Sequence, residues 1–177
     1  DLGCEFAALT HGHPTGWLAG GALAAMVTVL RDGGDMSDAL DVALDCLSER
    51  MDADETINAL DQAADLAATD TPYDEAIARL GGGWIAEEAL AISVYCALVA
   101  TDFHEALVIA VNHDGDSDST GAITGNLLGV QWGVEHIPAE LLEPLELRDV
   151  ITQVADDLLD CVDWQLDEAV LQRYPAF

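Results

Sequence analysis

Residues 112–126 read "NHDGDSDSTGAITGN" and carry Asp114, Asp116 and Asp118 at every second position, with Ser119 and Thr120 directly behind them. Alternating carboxylates in a loop bring several hard oxygens to one point, the donor set favoured by Mg²⁺, Mn²⁺ and Ca²⁺. Two patterns compete on the residues alone. An EF-hand counted from Asp114 needs a turn glycine at its sixth position and an acid at its twelfth; Ser119 and Gly125 stand there, which rejects it. Asp116, Asp118 and Thr120 also spell the D-x-D-x-T of haloacid dehalogenase-type phosphatases. That motif belongs at the end of a parallel strand, with a basic residue downstream, usually lysine. Here the surroundings read as helix, and only Arg148 and Arg173 follow.

Other chemistry-bearing residues are scattered. His13, His104, His113 and His136 fit no HxxxH or His/Cys ligand spacing and read as loop or surface residues, with His113, close to Gly115, the first exception to consider. Glu87 and Glu88 follow a "GGGW" loop. They read as first-turn acids that favour a helix N-terminus, with a cleft-facing carboxylate as the alternative. Trp84 reads as core or pocket wall. Cys46, Cys96 and Cys161 lie in apolar helical patterns and, with Cys4, form no CxxC pair, so core thiols in a reducing compartment are expected.

The elements that must position these residues are helical nearly throughout. A helix is expected from Thr15 to Arg31, closed by "DGGD". A second has Met36, Leu40, Ala43 and Leu47 on one face and Ser37 as its N-cap; a third follows Ile57, Leu60 and Ala64. Pro72 opens a short helix through Leu80. "IAEEALAISVYCALVA" is nearly all apolar and must be a central helix, and Phe103 to Val111 makes another. A helix from about Ser119 to Trp132 follows the aspartates, and Ile151, Val154, Ala155, Leu158 and Val162 mark the last long one. The expected class is all-α, as a single domain over 1–177. Gly121, Gly125, Gly129 and Gly12, Gly16, Gly20, Ala24 form two small-residue stripes that suggest close helix approach, since a helical glycine costs about 1 kcal/mol against alanine.

Charge excludes several function classes. The chain carries 34 acidic residues against 5 basic ones, for a net charge of −29, and the basic residues are all arginine. Nucleic-acid backbones and anionic membranes require Lys/Arg patches, so neither is an expected partner. A P-loop lacks its lysine. No run approaches the roughly 18 apolar residues of a membrane span, and the first residues do not read as a signal peptide. Such self-repulsion is relieved by salt, which points to the cytoplasm of a halophilic archaeon or bacterium.

The residues from Ala110 to Pro138, "AVNHDGDSDSTGAITGNLLGVQWGVEHIP", resemble the C-terminal metal motif of the ADP-ribosylglycohydrolase family, related to dinitrogenase-reductase-activating glycohydrolase. Three further segments match in order: "LTHGHPTGWLAGGALAAMV" at 9–27, "LGGGWIAEEALAISVYCAL" at 80–98 and "IPAELLEPLELRDVITQVADDLLD" at 137–160. The resemblance implies an all-α multi-helix globule with a binuclear Mg²⁺ or Mn²⁺ site. It implies hydrolysis of the glycosidic bond joining ADP-ribose to a protein side chain or similar acceptor. Asp116, Asp118 and Ser119 would be metal ligands, His11 would lie near the bound ADP-ribose, and Gly115 would let backbone approach ligand or metal. Two departures stand out. Asp114 replaces a usual glycine, and the family's Thr-Asp-Asp half-site has no counterpart, since no "TDDT" occurs. The chain is therefore expected to be the C-terminal portion of the family fold, one piece of a split protein, or a degenerate relative. As such it would be either a hydrolase or a non-catalytic metal- or ADP-ribose-binding fragment, associating through the face left by the missing segment.

Overall fold

The structure, a computed structural model, describes residues 1–161 and 167–175. Among these residues there are helices and no strand, so the expected all-α class holds. They divide into two compact units, 1–138 and 139–177.

The first unit begins with α1 (Leu2–Ala8) and α2 (Pro14–Arg31). Pro14 takes the first helical position, where its missing N–H costs nothing. Nothing in the periodicity announced α1. It packs along α2 through small residues: a Cβ on Gly3 would lie 2.7 Å from that of Ala24, and one on Gly20 would lie 2.7 Å from that of Ala7. A Cβ on Gly21 would come within 2.2 Å of Cys4 Sγ. The Gly20/Ala24 part of the stripe thus seats α1, whereas Gly12 faces open space. Leu2 and Phe6 of α1 and Leu9 just after it are exposed.

Helix α3 spans Met36–Ser48 and α4 spans Asp54–Ala67. The N-cap of α3 is Asp35 rather than Ser37: its carboxylate accepts from Asp38 N–H at 2.9 Å, while Asp38 accepts from Asp35 N–H at 3.2 Å. An aspartate at N3 completes a reciprocal box that Ser37 cannot make. Helix α5 (Tyr73–Leu80) leads into the glycine loop, where Gly81 and Gly83 adopt φ of +121° and +73°, conformations that glycine tolerates best.

Helix α6 (Ala86–Val99) is the centre of the unit. Residues 89–97 are all buried, and it touches α2, α3, α4, α5, α7 and α8. Its uniform apolarity is what a helix surrounded by others requires. Helix α7 (Phe103–Val111) is capped by Asp102, which accepts from Glu105 N–H at 2.8 Å. Helix α8 runs Ser117–Trp132, two residues earlier than its sequence signal, with Asp116 at the N-cap. A Cβ on Gly121 would meet Val111 Cγ1 at 2.7 Å, so α7 and α8 approach closely there, but Gly125 makes only ordinary contact and Gly129 faces open space. Close approach is confined to one end of that stripe. The 3₁₀ turn Val134–His136 follows.

The second unit contains α9 (Ala139–Leu142), α10 (Arg148–Asp160) and α11 (Glu168–Arg173). Arg173 donates to both oxygens of Asp157, at 2.7 and 2.9 Å, and Tyr174 O–H adds a third bond at 2.8 Å, tying α11 to α10. Val162, expected on the face of this last long helix, lies outside the described residues.

The cysteines correct one expectation. Cys96 is buried, but Cys46 and Cys161 are exposed and Cys4 is half-buried; all are free thiols. Helical position alone does not decide which side of a helix meets a neighbour.

Candidate active-site cavity

The aspartate loop is built by its own side chains. His113 Nδ1 accepts from Gly115 N–H at 3.1 Å, which leaves Nε2–H to donate to Thr120 Oγ1 at 3.0 Å. Thr120, fully buried, donates in turn to Ala110 O at 2.7 Å. His113 is therefore a strut joining the loop to α8. Ser93 Oγ of α6 reaches both Ala89 O at 2.7 Å and Thr120 O at 3.2 Å, fixing α8 beside α6.

The "GGGW" loop completes the frame. Glu88 accepts from Gly82 N–H at 3.0 Å and Gly83 N–H at 3.1 Å. Gly82 O then accepts from Asp116 N–H at 2.8 Å. What comes close to Gly115 is this same carbonyl: a Cβ there would sit 1.9 Å from Gly82 O.

These elements border a cavity of about 910 Å³, within the range of small-molecule sites. Asp116, Ser119 and Ile123 come from α8, and Thr10, His11 and His13 from the turn before α2. Glu55 comes from α4, Trp84 from the glycine loop and Glu87 from the start of α6. His11 holds its ring by Nδ1, 2.9 Å from Thr10 Oγ1. His13 is the N-cap of α2, its Nδ1 accepting from Thr15 N–H at 3.4 Å.

Of the residues singled out in the sequence, Asp116, Ser119 and His11 meet in this cavity. Asp118 is exposed and does not line it, although its carboxyl shares a hydrogen bond with that of Asp116. That contact, then the N–H groups of Asp118 and Ser119, hold the Asp118 carboxyl below the usual aspartate range. Gly115 borders a separate hollow with Gly82, His113 and Asp114. Trp84 is exposed and walls both spaces, so it is not core. In sequence Glu55 is passed over as one acid among many, His13 reads as a loop residue, and the cleft-facing carboxylate considered for Glu87 and Glu88 is not assignable to one of them. The structure separates the last pair: Glu88 braces the glycine loop, while Glu87 is buried against the cavity.

Asp116 and Ser119 both border the cavity, and the Asp118 carboxyl interacts with that of Asp116. This all-oxygen donor set suits one hard cation such as Mg²⁺ or Mn²⁺. Among the described residues no cluster of three or more His, Cys, Asp or Glu side chains is arranged to hold a metal. Among the described residues, no helix is long and apolar enough to cross a membrane.

Comparison with known proteins agrees with the motifs. A family model described as ADP-ribosylglycohydrolase matches residues 1–167. An uncharacterized protein of Archaeoglobus fulgidus is 31% identical over 143 residues, 80% of this chain and 45% of that protein. The ADP-ribosylarginine hydrolase Tri1 of Pseudomonas putida is 31% identical over 81 residues, 46% of this chain and 22% of the relative. The ADP-ribosyl-[dinitrogen reductase] glycohydrolase of Rhodospirillum rubrum is 40% identical over 50 residues, 28% of this chain and 17% of the relative. No solved structure matches. The chain spans less than half the length of these relatives. It belongs to the ADP-ribosylglycohydrolase family.

Proposed function

We propose that this member of the ADP-ribosylglycohydrolase family binds an ADP-ribosyl group in the cavity and takes part in hydrolysing its glycosidic bond to a protein side chain or a related acceptor. The supporting observation is convergence: residues of three matched segments, His11, Glu87 and Asp116 with Ser119, border one cavity although they are far apart in the chain. Asp116, Asp118 and Ser119 would hold the divalent ion, Mg²⁺ or Mn²⁺. Such an ion, when bound, offsets negative charge and stabilises the charge that develops as the C1–N or C1–O bond breaks. His11 and His13 offer ring nitrogens to the ribose or phosphate oxygens, and Trp84 supplies an apolar wall. Gly82 and Glu88 act indirectly, by fixing the backbone of Asp116.

A second reading is a non-catalytic metal- or ADP-ribose-binding portion that needs a partner chain. It is favoured by the missing cluster of three metal-ligating side chains among the described residues. The exposed Leu2 and Phe6 of α1, with Leu9 just after it, offer a face for such association.

Thermal unfolding in high salt tests the site. Mg²⁺ or Mn²⁺ is expected to raise Tm, by about 2.7 kcal/mol of added stability at a hundredfold excess over Kd, and Asp116→Ala and Asp118→Ala to abolish the rise. Indifference to both metals sinks the site. Release of ADP-ribose from modified protein by the isolated chain defeats the second reading; ADP-ribose binding without turnover supports it.

A further inference from the structure

Cys4 of α1 and Cys46 of α3 border one hollow of about 430 Å³, although they are far apart in the chain. Helix α2 walls this hollow mainly with Gly21, Ala22, Ala24 and Ala25, whose small side chains leave the space open. The Cys4 thiol rests on that wall: a Cβ on Gly21 would come within 2.2 Å of its sulfur. An ion pair joins Asp1, the N-cap of α1, to Arg50, four residues past Cys46. It holds the start of α1 against the end of α3.

Of the remaining thiols, Cys96 is buried within α6 and Cys161 belongs to the second unit; neither borders the hollow. Cys46 is exposed and Cys4 half-buried, so a dissolved reagent reaches the first and the second can follow. Helix α1 has no fully buried residue, so it can draw toward α3 without breaking the core. From its far end the chain runs through Ala7, Thr10 and His11 along the wall of the candidate site.

We propose that Cys4 and Cys46 form a redox-sensitive pair whose disulfide staples α1 to α3 and steadies the cavity wall that follows α1. The oxidant is a small-molecule disulfide. The Cys46 thiolate attacks one of its sulfurs and displaces a thiolate, leaving a mixed disulfide on Cys46. The Cys4 thiolate then attacks the Cys46 sulfur and displaces the second small thiolate. The two protein thiols give up their protons to the two thiolates released, so the protein sulfurs are oxidised and the small disulfide is reduced to two thiols. A bond with one exposed sulfur is of the reducible, regulatory kind, which suits a reducing compartment.

The test treats reduced protein in molar KCl with oxidised glutathione, blocks the remaining thiols with N-ethylmaleimide and maps the peptides by mass spectrometry. Wild-type protein is expected to lose two hydrogens, to give the Cys4–Cys46 peptide pair as its main product, and to gain a higher Tm that reduction reverses. In urea the same treatment is expected to give several pairings, because nothing then places the thiols. Cys4→Ser and Cys46→Ser are each expected to lose the link and the rise in Tm, and Cys161→Ser to keep both. Amide hydrogen exchange at Leu9, Thr10 and His11 is expected to slow several-fold in the linked protein. Absence of the Cys4–Cys46 link, pairing as mixed in the folded protein as in urea, or a link that leaves Tm and exchange unchanged overturns the proposal. None of these readouts involves a ligand, so the outcome is independent of what the cavity binds.

Discussion

The backbone N–H of Asp116 donates to the carbonyl of Gly82 at 2.8 Å, joining the aspartate loop to a glycine loop 34 residues earlier in the chain. The Asp116 backbone is therefore aimed by a distant loop, which Glu88 in turn holds from α6. The contact is possible only because residue 115 has no side chain.

Gly115→Ala is accordingly expected to push the two loops apart. The added Cβ would fall 1.9 Å from Gly82 O, against backbone rather than a flexible side chain. A loss of about 1–3 kcal/mol in stability is expected, in line with overpacking elsewhere, together with loss of the Mg²⁺-dependent rise in Tm. Denaturant unfolding with and without metal measures both. A variant as stable and as metal-responsive as wild type would show that the contact does not govern the site.

Thiol chemistry should sort the cysteines by burial rather than by pattern. Burial, outweighing its own backbone hydrogen bond, pushes the Cys96 thiol up to about 12. The thiolate is the reactive form, so Cys96 should stay unmodified by a maleimide at neutral pH until the protein unfolds. Cys46 and Cys161 are exposed and should react promptly. Mass spectrometry of the alkylated peptides distinguishes them; early labelling of Cys96 contradicts its burial.

Acid stability should depend on Glu105. Thr101 N–H, at 2.9 Å, and Thr101 Oγ1, at 2.7 Å, both donate to its carboxylate and hold it below the ordinary glutamate range. A folded pKa below the unfolded one means that the ionised form binds the fold better. This contribution is complete above the unfolded value, about 4.3, and disappears as pH falls through the lower folded value. Tm measured between pH 6 and 3 should therefore fall less steeply for Glu105→Gln than for wild type, and identical profiles would dismiss the linkage. Asp157 has the same sign in the second unit. Burial raises its pKa, but this is outweighed by hydrogen bonds from Tyr174 and Arg173 and by the Arg173 charge.

Salt should stabilise the whole chain. With a net charge of −29, self-repulsion extends across tens of ångströms at low ionic strength, because the screening length is about 30 Å at 0.01 M and about 3 Å at 1 M. Circular dichroism during dilution from molar KCl is expected to show loss of helix that returned salt restores. Full helicity and an unchanged Tm in dilute buffer would remove the halophilic reading and leave only an acidic surface.

Most of the fold was legible because its cues act over a few residues. Helical periodicity marked Pro14–Arg31, Met36–Ser48 and Phe103–Val111 to within a residue or so, and the nearly all-apolar run of Ala86–Val99 announced the central helix. The motif order led to the family, and residues of three of the matched segments border the cavity. Only the tertiary structure decided the partners. It gave Glu88 to the glycine loop and Glu87 to the cavity, made His113 a strut and His13 a cap at the cavity edge, and turned Cys46 outward while burying Cys96. Periodicity reports which residues share a face, but not what that face meets. Burial and pairing arise where helices distant in sequence pack.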